Sequence, residues 1–297
     1  MGCFSPLRAH RLDDGSISFK AKFGEGDLLK LPCGQCIGCR IDRSRMWAIR
    51  CMHEASLHDE NCFVTLTFND ENLPLNGSLH YPTFQKFMKR LRKRFSGRNI
   101  RFYMCGEYGE LDQRPHFHAL LFNFNFPDLV VWKRTGSDSM IYRSTILEEL
   151  WPFGFSSVGN VTLQSAGYVA RYVMKKLNGD AVKGSHLEYV NADGEICLKT
   201  PEFNRMSLKP GIAQGWFDNY WSDVYPHDSI ILEGGREMRP PKFYDLKFEQ
   251  MDPDTFDVIK QARISRALER WEEQSPERLE VKRQVLSSRV SKLHRSL

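Results

Sequence analysis

The sequence predicts an α+β fold: a central antiparallel β-sheet flanked by helices, with a Cys-rich segment ahead of it and charged helices behind. Three observations carry that reading. Segments with β-branched and aromatic residues at a period of two are interleaved with segments whose apolar residues recur at helical spacing. From residue 62 to residue 177 their order is strand, helix, strand, strand, helix, strand, helix. Two of the strands are separated only by "YGELDQR" (108–114), a turn-forming stretch that suits an antiparallel pair.

Taken in order, residues 1–40 are polar and broken, with "LPCGQCIGC" (31–39) as the marked feature. A helix is expected from about Ile41 to Leu57, where Ile41, Arg45, Ala48, Met52 and Ala55 recur near helical spacing. "CFVTLTFND" (62–70) reads as a strand ending in Asn-Asp. "YPTFQKFMKRLRKRF" (81–95) opens with Pro82 and puts Phe84, Phe87, Met88, Leu91 and Phe95 on one stripe, giving an amphipathic helix with a basic outer face. "IRFYMCGE" (100–107) and "PHFHALLFNF" (115–124) are the paired strands, "TILEELWPFG" (145–154) a short helix, "SVGNVTL" (157–163) a strand and "SAGYVARYVMKKL" (165–177) a helix. Beyond Asn178 the pattern weakens. "KPGIAQG" (209–215) reads as irregular, "GWFDNYW" (215–221) as a packed aromatic stretch, and the segment from about Thr255 to Leu297 as two charged helices divided at Pro276. The implied domains are 1–40, a Cys-rich segment; 41–180, the α+β core; and 181–297, a C-terminal region with charged helices.

A chain of 297 residues with 41% hydrophobic residues can bury one good core. Its formal charge of +5 suits a polyanionic partner, and "KFMKRLRKRFSGR" (86–98) and "RIDRSRMWAIR" (40–50) concentrate that charge. "MGCFSPLRAH" lacks the apolar run of a signal peptide, and Pro6 stands where a myristoylation signal wants Ser or Thr. With no stretch long enough to span a bilayer, a soluble protein with no membrane partner is expected, its eight cysteines reduced or bound to metal. Cys51, Cys62, Cys105 and Cys197 read as small core residues; for Trp47, Trp132 and Trp151 core packing is the favoured reading and base stacking the alternative.

The chemistry gathers in "RPHFHALLF" (114–122). Side chains at i and i+2 of a strand share a face, roughly 6–7 Å apart, so His116 and His118 make a two-tooth clamp for a divalent metal. A hairpin would bring Glu107, at the end of the neighbouring strand, beside them as a third ligand; Glu110 is the nearest competitor. Two imidazoles and one carboxylate leave coordination positions open, as a catalytic Mg²⁺ or Mn²⁺ requires. In "YVARYVMKKL" (168–177), Tyr168 and Tyr172 lie four apart on one helix face, with Lys175 and Lys176 a turn further on. Ala166, Val169, Val173 and Leu177 form the apolar stripe, so the tyrosines stand outside it as candidate nucleophiles on a phosphate, beside cations that favour the phenolate. Cys33, Cys36 and Cys39 follow C-x-x-C-x-x-C, and Cys3 can loop back as a fourth thiolate. Four thiolates at that spacing suit a structural Zn²⁺; an iron–sulfur cluster is the other reading, with three incidental thiols as the bland one.

"CFVTLTF", "RPHFHALLF" and "YVARYVMKKL", in this order and spacing, resemble the three motifs of HUH endonucleases that initiate rolling-circle replication. "GCFSP", "PCGQCIGCR" and "MCGEYGE…RPHFHALLF" resemble more specifically the replication initiators of gokushovirus-type microviruses, over roughly residues 1–180. The resemblance implies an HUH-type domain in which the two histidines hold a metal that polarises the scissile phosphate. A helix tyrosine then attacks, forming a 5′-phosphotyrosine link and freeing a 3′-OH primer, and paired tyrosines imply that Tyr168 and Tyr172 alternate. It also implies viral origin DNA, single-stranded or cruciform, as substrate, a host DNA polymerase as partner, and the host bacterial cytoplasm as location. No "GxxxxGK" phosphate loop occurs, so unwinding falls to a host helicase. The competing reading from another class is a non-catalytic, zinc-containing nucleic-acid-binding protein, with the histidines structural.

Overall fold

Seven strands, every neighbouring pair antiparallel, form the sheet that positions the rest of the molecule. The computed structural model describes residues 2–14, 16–20, 26–109, 112–134, 140–175, 187–191, 193–232 and 234–291, and at residues 27, 172–175 and 271 the backbone alone. The described elements are β1 (Leu7–Arg11), β2 (Ile17–Ser18), β3 (Asp27–Leu31), α1 (Ile37–Ala55), β4 (Asn61–Phe68), α2 (Tyr81–Arg94), β5 (Arg101–Tyr108), β6 (Pro115–Phe122), β7 (Val130–Arg134), β8 (Met140–Arg143), α3 (Thr145–Leu150), β9 (Gly154–Gly159) and α4 (Leu163–Lys175). They continue with β10 (Glu188–Val190), β11 (Ile196–Leu198), β12 (Phe203–Met206), α5 (Gln214–Tyr220), β13 (Ile230–Leu232), β14 (Arg236–Met238), α6 (Lys242–Met251), α7 (Pro253–Leu268) and α8 (Pro276–Ser291). The fold is thus α+β, with the Cys-rich start and helical end that the sequence predicts. No described helix is long and apolar enough to cross a membrane.

The chain divides into two compact units, Met1–Arg43 with Asp252–Arg295 and Ser44–Met251 with Ser296–Leu297. In the first, β2, β1 and β3 form a small antiparallel sheet. α7 starts at Pro253 behind an Asp252 side chain that accepts the Thr255 N–H, satisfying one of the open donors of the first turn.

The second unit holds the large sheet, in the order β12-β5-β6-β4-β9-β8-β7. Alternation along β6 sends Phe117, Ala119 and Leu121 to one face, where they join Val64, Leu66, Met104, Phe87, Met88, Leu91 and Trp151 in the main core. α2 closes that face. Phe84 lies 5.4 Å from Phe102 and 5.7 Å from Phe117, ring to ring, and each buried aromatic contributes about 2–3 kcal/mol of transfer free energy. Two of its basic residues serve the fold: Arg90 forks onto the Leu150 carbonyl and Arg92 onto that of Ile100. Since α2 covers the Phe117 face, its cationic side does not adjoin the histidines, which point the other way.

On the opposite face, α1 and the 209–214 segment are tied to β5 through a buried charge network. Arg101 pairs with Glu54 and donates to the Pro210 carbonyl; Glu54 also accepts the Ala213 N–H, and Arg50 forks onto the Ile212 carbonyl. The aromatic stretch 215–221 packs as expected, with Phe217 buried and Trp216 stacked on His53 at 3.6 Å. The Tyr244 hydroxyl shares a 2.8 Å hydrogen bond with His53 Nδ1, and burial pushes the imidazole pKa down to about 4. Its folded value therefore lies below the ordinary 6.5, so the unfolded chain takes up the proton first. Stability should be unaffected by this group above pH 6.5 and fall between pH 6.5 and 4, by up to about 3 kcal/mol. Urea titrations across that range should show the slope in the wild type and a shallower one in His53→Phe.

Four expectations fail, one of them the strand expected over 157–163, which instead runs Gly154–Gly159 as β9, with α4 already begun at Leu163. Trp132 is not core: it sits 60% exposed on β7, the sheet's edge, at a bulge between Val131 and Lys133. Cys197 is only half-buried, in the two-stranded β10–β11 ribbon. The helix expected over 145–154 stops at Leu150, ahead of Pro152, and β9 begins at Gly154.

Candidate active site

β5 and β6 pair directly, and the register sets Glu107 opposite His116 and Cys105 opposite His118. Residues directly opposite in an antiparallel pair share a face, so Glu107, His116 and His118 converge on the face away from Phe117. His116 Nε2 lies 2.7 Å and His118 Nε2 2.9 Å from Glu107 Oε1. The potential ligand atoms of the three residues all fall within 4.8 Å of one another. Glu107 is the third member, as expected from the hairpin; Glu110 lies outside the described residues.

Each imidazole is oriented from behind. His116 Nδ1 is 3.0 Å from the Arg114 carbonyl oxygen, to which it can only donate. His118 Nδ1 is 2.9 Å from the Thr65 hydroxyl on β4. With Nδ1–H donated to these oxygens, Nε2 is the ring nitrogen that each imidazole turns to the site, where it can give up its proton to take a metal ion, the arrangement that metal-binding histidines require. Both nitrogens of His116 thus face acceptors, Arg114 O and Glu107 Oε1, so a metal ion can stand where an Nε2 proton otherwise must. Glu107 is 2% exposed, and its Oε2 is buried with no hydrogen-bond partner among the described residues. A buried carboxylate oxygen without a partner is costly, and a cation satisfies it. Burial alone would push this carboxyl up; hydrogen bonds from His116 and His118 outweigh it and hold the pKa at about 2. The site keeps its negative charge. By residue type, buried lone pair and spacing, the trio fits a divalent ion such as Mg²⁺ or Mn²⁺.

α4 lies across β12, β5 and β6. Its start is fixed by a reciprocal pair, the Ser165 N–H donating to Thr162 Oγ1 and the Thr162 N–H to Ser165 Oγ. One turn later Asn204 of β12 donates to the Val169 carbonyl. Tyr168 is thereby held over the histidines: its ring meets His118 edge-on at 5.1 Å and Phe63 at 6.5 Å. Its hydroxyl donates to Glu107 Oε1 at 3.1 Å. Phenol, imidazoles and carboxylate therefore share one oxygen. Burial first, and then the adjacent Glu107 carboxylate, push the Tyr168 pKa up, against a smaller lowering by Arg171, which stands 5.9 Å from the ring. The cations that favour the phenolate in the sequence do not prevail over that carboxylate. Tyr172 and Lys175 belong to α4 by backbone, but their side chains, and all of Lys176, lie outside the described residues.

Three positioning residues escaped the sequence reading. Thr65 shares the histidines' face through the period-two alternation of "CFVTLTF" and could have been found that way. Asn204 and the Arg114 carbonyl had no local signal.

In the other unit, Cys3, Cys33, Cys36 and Cys39 come together, all four sulfurs within 4.8 Å of one another. Gly38 permits it: a Cβ there would sit 2.4 Å from the Gly2 carbonyl oxygen, so only glycine lets the N-terminal segment cross α1. Backbone N–H groups of Phe4 and Cys33 donate to Cys36 and Cys3 sulfur at 3.3 and 3.2 Å. Burial raises the Cys36 thiol, but the Cys39 and Phe4 N–H groups outweigh it and bring the pKa down to about 6.

The family model for replication-associated protein ORF2/G2P matches residues 61–177, the stretch from β4 through α4. Replication-associated protein ORF2 of Spiroplasma virus 4 is 32% identical over 97% of this chain and 91% of its own length. Replication-associated protein VP4 of Bdellovibrio phage phiMH2K is 31% identical over 86% of this chain and 79% of its own. Replication-associated protein ORF4 of Chlamydia phage 1 is 29% identical over 76% and 55%. No solved structure matches. With whole-length relatives above 30% identity and the matched segment carrying the histidines, the carboxylate and the tyrosine helix, the chain belongs to the replication-associated protein family of gokushovirus-type microviruses.

Proposed function

We propose that this replication protein is an HUH-type nicking and joining endonuclease that opens the viral origin strand through a tyrosine. The observation that carries the reading is the Tyr168 hydroxyl resting on the same carboxylate oxygen that both histidines address. Glu107, His116 and His118 would hold the divalent ion, which supplies Lewis-acid polarisation of a phosphoryl oxygen. The chain's own residues do the remainder. Glu107 aims the phenol, Thr65 and the Arg114 carbonyl fix the imidazoles, and Phe63 with His118 limits the ring's motion. The Tyr168 oxygen attacks phosphorus, the P–O3′ bond breaks, the phenol proton leaves, and a proton reaches the departing 3′ oxygen. A 5′-phosphotyrosine and a 3′-OH result, and Tyr172 repeats the step in the second half of the cycle. Origin DNA, single-stranded or cruciform, is the substrate; a host polymerase extends the 3′-OH while a host helicase unwinds. The test is a denaturing gel: with labelled single-stranded origin DNA and Mn²⁺, the wild type should migrate as a covalent DNA adduct, which a pure binding protein never forms.

The cysteine quartet is read as a structural zinc site. Zn–S bonds of about 2.3 Å in a tetrahedron separate sulfurs by about 3.8 Å, and Cys36 Sγ stands 3.8 Å from Cys3 Sγ. That spacing supports one ion over an iron–sulfur cluster, whose several irons push cysteine sulfurs apart. The purified chain should carry about one zinc by elemental analysis, and Cys36→Ser should reduce it at least tenfold, since the remaining thiols leave the tetrahedron open.

A further inference from the structure

The site row does not end at the histidines. Glu107 pairs with His116, His116 with Thr67 of β4, and Thr67 with Phe155 of β9, so these four residues form one line across the sheet on one face. A second line beneath it runs Cys105, His118, Thr65, Ser157. At the far end of the first line, Phe155 is 72% exposed. What sets it apart from the other exposed apolar residues is its place in the row of the carboxylate–imidazole site, two strands away. The chain holds it there deliberately tight: Gly154 has φ +151, and a Cβ on it would sit 2.4 Å from the Asn69 nitrogen and 2.5 Å from the Thr67 oxygen. β9 therefore begins pressed against the end of β4, which fixes Phe155 beside Thr67.

Two inter-strand spacings put Phe155 roughly 10 Å from His116. Thr67 between them is short and half-buried, so nothing tall separates ring from site. The feature next in line from the site is an exposed aromatic face, the kind of surface on which a single-stranded base stacks.

We infer that the Phe155 ring is a stacking platform for a base of the cleaved strand, about one to three nucleotides from the scissile phosphate at strand spacings upward of 3.4 Å. The inference rests on the nicking reading for the identity of that strand. Phe155 is a positioning residue: it holds the strand in register and does no chemistry.

The test uses the full chain and a fluorescein-labelled oligo-dT of about 15 nucleotides, in EDTA, followed by anisotropy. Phe155→Ala should weaken binding roughly 5- to 150-fold, Phe155→Trp should restore it, and Phe155→Leu should not, because a base stacks on a π-face and not on bulk alone. In the nicking assay the alanine variant should raise KM and leave kcat within about threefold. Oligo-dT binding by Phe155→Ala within twofold of wild type overturns the inference, as does full restoration by leucine. A dimer in sedimentation that the alanine variant dissolves also overturns it, by making the ring a contact between copies. Failure of the wild type to form an adduct with Mn²⁺ sinks the nicking reading instead, and the oligo-dT comparison is read independently of it.

Discussion

Tyr168→Phe combined with Tyr172→Phe is expected to abolish the covalent DNA adduct, a loss of at least about 1000-fold in single-turnover cleavage. The substitution at Tyr168 keeps the ring, so its edge contacts with His118 and Phe63 persist. What disappears is one hydroxyl and its hydrogen bond to Glu107, worth about 2 kcal/mol as a bond to a charged group. The variant should therefore fold, bind oligo-dT like the wild type, and differ only in chemistry. Tyr168→Phe alone is the sharper measurement, because Tyr168 is the phenol seen on the Glu107 oxygen. If the first cleavage proceeds at the wild-type rate without it, the opening nucleophile is elsewhere on α4. An adduct that survives the double substitution removes the tyrosine mechanism altogether.

The parts of the site that the sequence discloses are those governed by local periodicity. His116, His118 and Glu107 were placed by two rules, alternation along a strand and reversal at a hairpin, and both hold because β5 and β6 are adjacent in sequence as well as in space. α2 was legible for the same reason, its apolar stripe repeating at helical spacing. What local periodicity cannot supply is pairing at a distance. β12 joins the sheet beside β5 about a hundred residues after it, from a stretch that reads as irregular, and with it comes Asn204, the anchor of α4. β7 was invisible because an edge strand exposed on both faces loses the alternation that marks a strand, and β8, its short half-buried partner, shows too few residues to mark one. The phase of α4 separated Tyr168 from the apolar stripe. It could not disclose that the face outside the stripe is buried against a carboxylate, so that burial first, and then Glu107, raise the phenol pKa over the smaller lowering by Arg171.

His116→Ala with His118→Ala is expected to eliminate Mn²⁺-dependent cleavage and weaken Mn²⁺ binding by at least about 100-fold in calorimetry, since two of three ligands are gone. Oligo-dT binding should remain close to wild type. The structure adds a complication with a use. The histidines also offset the charge of Glu107, which is 2% exposed, and removing the partners of a buried ion costs about 3–5 kcal/mol. The double variant should therefore be less stable, and lost cleavage alone would not separate a missing metal from a damaged fold. Adding Glu107→Gln makes the distinction. A neutral amide in that position no longer needs a compensating charge, so the triple variant should recover much of the lost stability in urea titrations and still neither bind Mn²⁺ nor cleave. Recovery of cleavage along with stability would mean that the imidazoles serve only to hold a carboxylate in the sheet, and that phosphate chemistry in this protein does not pass through them.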